Sequence, residues 1–525
     1  MKKLIVILSA VLFSVQICCA QKFATGVVYL DANANHKKES AEKGIAHVLV
    51  TNGIQLTETD CKGHYKLPIW DDAIISVIKP ADYDVPVDAN NQPQFFYIHN
   101  PQGSPKLKYA GVAPTGPLPA SVDFALLPGK QENNFSTLLF GDPQVLDDRE
   151  LGYFEKGIVS EVEGTRKVAF GISMGDIVQD NLELHKSYSK VTGKIGVPWY
   201  NVMGNHDMNA DATVDSLTDE SFTAHFGPAN YAFNYGKAHF LVIEDCDYPA
   251  RGVKGFRGGF TESQLQFIEN DLNRVDTNKL VILAMHVPLY NQVENSFHKE
   301  DRDRLFRMLE KLPHVLLLTA HTHNQRQDFY GKEFGWRNEK PLYEFNLGAA
   351  CGNWWSGKVD SSGVAEAEMS DGTPKGYAYL NVNGNRYTID YKVAGRPASY
   401  QINLYHRKVL NTIWWEGRGF IYANFFMGYA GSKMECRIDD KPWKPMKFAG
   451  GSDPAFIAKG NEWDLADTLF RGRRPTEAGY CTHLWTAPLP ENIGLGQHKI
   501  EVRATDIFGR TFTETSTYRI ENPKY

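Results

Sequence analysis

Five apolar stretches in the middle of this chain stop on the same few residue types, and that recurrence restricts the fold more than any other feature. LLFGDPQ ends on Asp142 and Gln144, VAFGISMGD on Asp176, and PWYNVMGNHD on Asn205, His206 and Asp207. LVILAMH then delivers His286, and VLLLTAHTH delivers His321 and His323. One Asp after a strand is usually turn chemistry, since Gly, Asp and Pro make turns everywhere. One His there is more often a satisfied core or surface histidine. Five such ends in one region point instead to a single site at the carboxyl edge of a sheet, where ligands of α/β folds bind. The glycine or alanine before most of them allows a sharp turn or a close backbone approach.

The surrounding rhythm is strand, loop, helix, with apolar runs ending at Phe140, Phe170, Val202, Ile243, Ala284 and Leu318. TESQLQFIENDLNRV opens with Thr261 and has Gln264 three residues on, which predicts a capped helix start. DRDRLFRMLEKL predicts a second helix. This reads as a layered α/β domain over residues 133–394. Residues 21–132 and 395–525 read as short strands between turn residues, hence small all-β domains at both ends. In QHKIEVRATD, Ile500, Val502 and Ala504 share one face and Lys499, Glu501 and Arg503 the other. A chain of 525 residues is too long for a single core in any case.

Residues 1–20 have the form of a secretory signal: Lys2 and Lys3, an apolar run over 4–13, then small residues up to Ala20. Gln16 and Ile17 argue against lipid modification of Cys18 or Cys19, so cleavage after Ala20 and a periplasmic or extracellular product are expected. No later run of apolar residues is long enough for a transmembrane anchor. The net charge of −6 carries no nucleic-acid-binding signature. Aromatics at 12% suit β-rich domains, and equally glycan or cell-surface contact through them. Cys61, Cys246, Cys351, Cys436 and Cys481 form no framework. Cys436 with Cys481 is either a pair or two reduced thiols.

The strand-end residues suit one chemistry. Hydrolysis of a phosphoester needs hydroxide at neutral pH, neutralisation of phosphoryl oxygens and a proton for the leaving oxygen. Two divalent ions about 3.5–4 Å apart supply the first two by sharing a hydroxide and clamping the phosphate. Carboxylate, amide and imidazole ligands suit Mn, Fe or Zn, and an unligated histidine supplies the proton.

The motif order, GDxx, GD, GNHD, H and HTH, resembles that of the calcineurin-like metallophosphoesterases. The resemblance covers the middle domain almost entirely. It implies a layered metallophosphoesterase β-sandwich core flanked by α-helices. Carried over, Asp142, Asp176 and His323 hold one ion and Asp176, Asn205, His286 and His321 the other, with Asp176 bridging. His206 serves the leaving oxygen, and Asp207 is its orienting carboxylate. The flanking modules resemble those of exported Bacteroidetes-type members.

Two positions depart from the motif. Ala320 replaces a glycine, harmless unless the backbone there needs positive φ. Gln144 stands where most members have histidine, as in manganese-dependent ADP-ribose/CDP-alcohol diphosphatases, and either ligates through its amide oxygen or contacts a metal-bound water. Trp354 and Trp355 form an apolar wall for the leaving group or belong to the core. Arg251, Lys254 and Arg257 hold phosphate or lie on a solvated loop. Asp31, Asn33, Asn35, Glu39 and Glu42 have the spacing of a structural Ca²⁺ loop, although His36 sits where glycine is usual and a solvated acidic turn has the same composition. The expected function is phosphoester hydrolysis. The alternatives are a diphosphatase for nucleotide-diphosphate-like compounds and a surface-binding protein whose metals only stabilise it.

Overall fold

The computed structural model describes residues 21–524 except 131, 165–166, 250–254, 291–295, 413–418 and 491–492. The expected signal at 1–20, Arg251 and Lys254 lie outside the described residues.

The central domain holds two sheets. One orders its strands Trp199–Val202, Gly171–Met174, Asn134–Phe140, Gly376–Asn383, Arg386–Val393. The other runs Tyr231–Tyr235, Ala238–Val242, Leu280–Ala284, Val315–Thr319, Leu342–Asn346, Arg326–Tyr330. The strands that carry the motifs pair in parallel within each sheet. Antiparallel strands close the edges.

Alternate residues enter two separate cores. Leu139, Ile172, Val202, Ile282 and Leu318 pack between the sheets. Leu138, Phe140, Leu283 and Leu317 pack outward with Leu151, Val191, Ile268 and Leu305 of the helices Asp148–Phe154, His185–Gly193, Glu262–Leu272 and Lys299–Leu309. Strands buried on both faces are continuous apolar runs rather than alternating ones, which is why their ends stand out in the sequence. The helix Glu262–Leu272 starts on the expected reciprocal cap between Thr261 and Gln264. The strand expected to stop at Phe170 instead begins at Gly171 and ends at Met174. The Trp199 ring lies where a Cβ on residue 171 would fall, so glycine here is a packing requirement and not a stop.

The amino-terminal module is two four-stranded sheets, one built on Lys22–Leu30 and the other on Ala73–Ile78. Asn234 N donates to Lys79 O at 2.9 Å and Lys108 N to an Asp211 carboxylate at 2.7 Å, docking the module on the central domain. The carboxy-terminal module has a four-stranded and a five-stranded sheet. Its long hairpin, Gly496–Thr505 with Thr511–Glu521, buries Ile500, Val502 and Ala504 as the alternation predicts. Cys436 and Cys481 are not bonded to each other, and all five described cysteines are free thiols. Among the described residues no helix is long and apolar enough to cross a membrane.

The Ca²⁺-type loop is held by its own hydrogen bonds, but Glu42 Oε1 is buried there without a partner. Asp31 accepts from the backbone N–H of Asn35 and His36, at 3.2 and 2.8 Å. The Asn33 and Asn35 amides donate to Glu39 at 3.1 and 3.0 Å. His36 takes the left-handed backbone, φ 61°, that glycine usually supplies. Among the described residues, one trio of His, Cys, Asp or Glu brings its ligand atoms within 4.8 Å, and it lies in the central domain.

Candidate metal centre

That trio is Asp176, His286 and His321. His286 Nε2 lies 3.3 Å from Asp176 Oδ2 and 3.2 Å from His321 Nδ1. Beside it, His323 Nε2 is 3.8 Å from Asp142 Oδ1. The three strand ends from one sheet and the two from the other therefore meet at one rim.

Glycines make this approach feasible. A Cβ on Gly175 would stand 2.3 Å from His286 Nδ1, and one on Gly204 would stand 2.1 Å from Asp176 N. The residues bearing the proposed ligands take up the strain: Asp142, Gln144, Asp176, His321 and His323 all have φ between 36° and 69°. Left-handed backbone costs about 1–3 kcal/mol at each non-glycine residue and clusters at functional sites. Ala320 carries none of it, because the positive φ falls on the following histidine.

Two of the three ligand imidazoles are aimed by a backbone carbonyl, and His321 Nδ1 instead faces His286 Nε2. His286 Nδ1 donates to Met174 O at 2.9 Å and His323 Nδ1 to Gly352 O at 2.7 Å. A carbonyl can only accept, so Nδ1 carries a proton in both rings and Nε2 is the nitrogen turned into the site. Burial pulls the His286 ring down, but Asp176 and Asp142 outweigh it and lift it to about 10. Burial pushes His321 down to about 3, assisted by the charge of His286, and His323 down to about 4. Burial pushes Asp142 up, whereas the surrounding imidazoles hold Asp176 down. Asn205 Oδ1 is buried without a hydrogen-bond partner. A buried amide oxygen with no donor, imidazole nitrogens turned toward one another and two carboxylates are a set that a cation satisfies.

Of the two residues expected to serve the leaving oxygen, Asp207 has a different partner from the one expected. Asp207 does not orient His206. It is fully buried and accepts from Ile177 N, Val178 N and Gly204 N at 3.0–3.2 Å, and from His185 Nε2 at 3.2 Å. It ties the Asp176 loop to the Asn205 loop. The orienting carboxylate is Asp180, whose Oδ1 is 2.8 Å from His206 Nδ1. Burial pulls the His206 imidazole down, but Asp180, then Asp176 and Asp207, outweigh it and lift it to about 9.

Asp245 is a similar tie that the sequence reading passed over. It accepts from His286 N and Val287 N at 3.1 Å, and burial raises it to about 7. It is the acidic end of a sixth apolar run, so the signal was present.

Gln144 is buried, with its Oε1 3.9 Å from Cys351 Sγ, and Cys351 Sγ is 3.7 Å from His323 Nδ1. The tandem tryptophans separate: Trp355 is core, its Nε1 donating to Pro143 O at 3.0 Å, while Trp354 is 36% exposed against His323. Arg257 donates to Phe297 O at 3.1 Å, tying its loop to a neighbouring segment.

Three family models match successive parts of the chain. They are the N terminal of calcineurin-like phosphoesterase over 32–109, calcineurin-like phosphoesterase over 135–325, and the C terminal of calcineurin-like phosphoesterase over 344–512. The chain belongs to the calcineurin-like phosphoesterases. It has the fold of that family, with extra β domains at both ends, and the family's chemistry is metal-dependent hydrolysis of phosphoesters. A probable glycerophosphodiester phosphodiesterase GpdQ of Arcobacter nitrofigilis is 28% identical over 173 residues, which is 31% of this chain. The match spans 59% of that relative's length. Among solved structures, the purple acid phosphatase PPD1 of yellow lupin (Lupinus luteus) is 14% identical with a TM-score of 0.37, covering 68% of this chain and 69% of that one. GAP50, the anchor in the inner membrane complex of Plasmodium, is 13% identical with a TM-score of 0.31, covering 50% and 86%.

Proposed function

We infer that this family member is an exported hydrolase of phosphoesters that works with two divalent ions. Asp142, Asp176 and His323 would hold one ion and Asp176, Asn205, His286 and His321 the other. The observation that carries this is the buried, partnerless Oδ1 of Asn205 beside the Asp176–His286–His321 trio. Bound there, Mn, Fe or Zn ions would neutralise phosphoryl oxygens and make hydroxide available at neutral pH. The protein's own contribution is to fix the His286 and His323 rings through backbone carbonyls and to keep the strand ends in contact through Asp207 and Asp245. His206, with Nδ1 engaged by Asp180, turns Nε2 toward the leaving oxygen. Water attacks phosphorus, the phosphorus–oxygen bond to the leaving group breaks, and that oxygen takes a proton.

The GpdQ relative favours a phosphodiester over a monoester, whereas Gln144 favours a diphosphate. A scaffold whose metals only stabilise it has no use for the side-chain pair of Asp180 and His206, since His206 meets the ligand Asp176 through its backbone N–H, at 2.8 Å, and not through its ring. Export rests on residues 1–20 and places the activity in the periplasm or outside the cell, with the β modules available to glycan or cell-surface contact.

The test is metal content together with turnover of an aryl monoester, a diester and a diphosphate, before and after chelation. His206→Ala should retain both metals and lose about 10²–10⁴-fold in kcat. Loss of metal in that variant, or no turnover on all three substrates by metal-loaded protein, would overturn the reading.

A further inference from the structure

Trp354 is at odds with its surroundings. Its φ of 48° and the 52° of Trp355 place two consecutive bulky residues in the left-handed region, where such residues are outliers. For Trp355 burial offsets the strain: its indole lies in the outer core and its Nε1–H is satisfied by Pro143 O. Trp354 has no such compensation, because more than a third of its surface faces solvent. Backbone strain of this kind persists only where the surroundings enforce it.

The surroundings do enforce it, and part of the constraint comes from the carboxy-terminal module. Trp355 N donates to Cys351 O at 2.8 Å and Ser356 N to Asn353 O at 3.1 Å, closing the turn. The Asn353 amide donates to Thr476 Oγ1 of the carboxy-terminal module. Directly after the turn, Gly357–Lys358 pairs antiparallel with Gly472–Arg473 of the same module. The approach is so close that a Cβ on Gly472 would stand 2.1 Å from Gly357 O.

The constraint places the indole on a metal-site histidine. The Trp354 and His323 ring centroids are 4.7 Å apart with planes at 34°. The neighbouring His321 has its own aromatic flank, the edge-on Phe256 at 5.6 Å and 89°. Aromatic side chains therefore border both histidines of the final motif. A group esterified to a phosphate held by those histidines' ions extends one or two bonds from phosphorus, within reach of a flat, apolar, solvent-facing surface.

We propose that Trp354 is the platform on which a planar aromatic leaving group stacks, and that the carboxy-terminal module holds this platform in place. The claim rests on the phosphoester-hydrolase reading for its substrate, and it narrows the substrate class to esters or diphosphates bearing an aryl ring or a nucleobase. Stacking of one base on an aromatic side chain sets the scale of the effect.

The experiment compares Trp354→Ala and Trp354→Phe with the wild-type, full-length protein on three substrates: an aryl methyl phosphodiester, a nucleoside-bearing diphosphate and a glyceryl methyl phosphodiester. Trp354→Ala should raise KM about 5- to 100-fold for substrates with a ring and leave KM for the glyceryl ester unchanged. Its kcat should stay near wild type, and Trp354→Phe should restore most of KM. An effect on the aryl ester alone assigns the platform to simple aryl groups, and an effect on both extends it to nucleobases. A calorimetric titration of metal-loaded protein with phenylphosphonate and methylphosphonate reads the same contact without turnover. The wild type should prefer the phenyl compound and Trp354→Ala should lose that preference. An equal KM rise on all three substrates, or a phenyl preference that survives in Trp354→Ala, would overturn the platform. No turnover combined with a lost phenyl preference would sink the hydrolase reading and leave the platform standing. Thr476→Val should show part of the KM rise, and a wild-type KM there would remove the carboxy-terminal module from the claim.

Discussion

Asp180, and not Asp207, orients the His206 ring, and substituting each aspartate in turn tests this directly. Asp207 is fully buried, and its two oxygens receive three backbone N–H groups and one imidazole N–H. Asp207→Ala leaves those four buried donors without an acceptor. Each unsatisfied donor costs about 1–3 kcal/mol. Relaxation of the loops recovers part of this, so a loss of about 3–5 kcal/mol is expected. For a domain of this size that lowers the unfolding midpoint by roughly 6–20 °C. Asp180 is exposed, and its side chain meets His206. Asp180→Ala should leave the midpoint within about 4 °C, since exposed pairs contribute about 0–1 kcal/mol. It should lower kcat by roughly 10- to 100-fold, less than removal of the imidazole itself. The assays are thermal unfolding followed by circular dichroism, and steady-state kinetics on an aryl phosphodiester. An Asp207→Ala protein as stable as wild type, or an Asp180→Ala protein with wild-type kcat, would refute the assignment.

Asp176→Asn should lose more metal than Asp142→Asn, because the former carboxylate is in the trio with His286 and His321 and is proposed to bridge; equal losses by elemental analysis would remove the bridge. Gln144→His should shift the activity ratio of reconstituted apo-protein from Mn²⁺ toward Zn²⁺ if the amide oxygen ligates, because imidazole suits zinc; an unchanged ratio means that Gln144 acts from outside the coordination shell. Lys79 tests the contact between the amino-terminal module and the central domain. Burial pushes its ammonium from 10.5 down to about 8. Between those values the unfolded chain binds more protons than the folded one, so its penalty is full below pH 8 and is relieved as pH rises toward 10.5. The stability advantage of Lys79→Met in urea unfolding should therefore shrink from pH 7 to pH 10, and a pH-independent difference would contradict the burial argument.

The strand ends were legible in the sequence because two constraints coincide there. Strands buried on both faces must be unbroken apolar runs, as at Leu280–Ala284 and Val315–Thr319, and metal chemistry admits only a few residue types at their tips. The cap at Thr261 and Gln264 was readable for the same local reason, since both partners lie within one helical turn. Tertiary structure alone decided what depends on distances across the chain. His206 is adjacent to Asp207 in sequence, yet its ring meets Asp180, because the turn that starts at Asn205 sends the two side chains in opposite directions. Trp354 and Trp355 are equivalent in the sequence, and only the packing of Pro143, His323 and Thr476 around their turn makes one of them core and leaves the other facing solvent. Neither outcome has a periodic or compositional trace, since burial and hydrogen-bond partners are set by segments that meet only when the chain has folded.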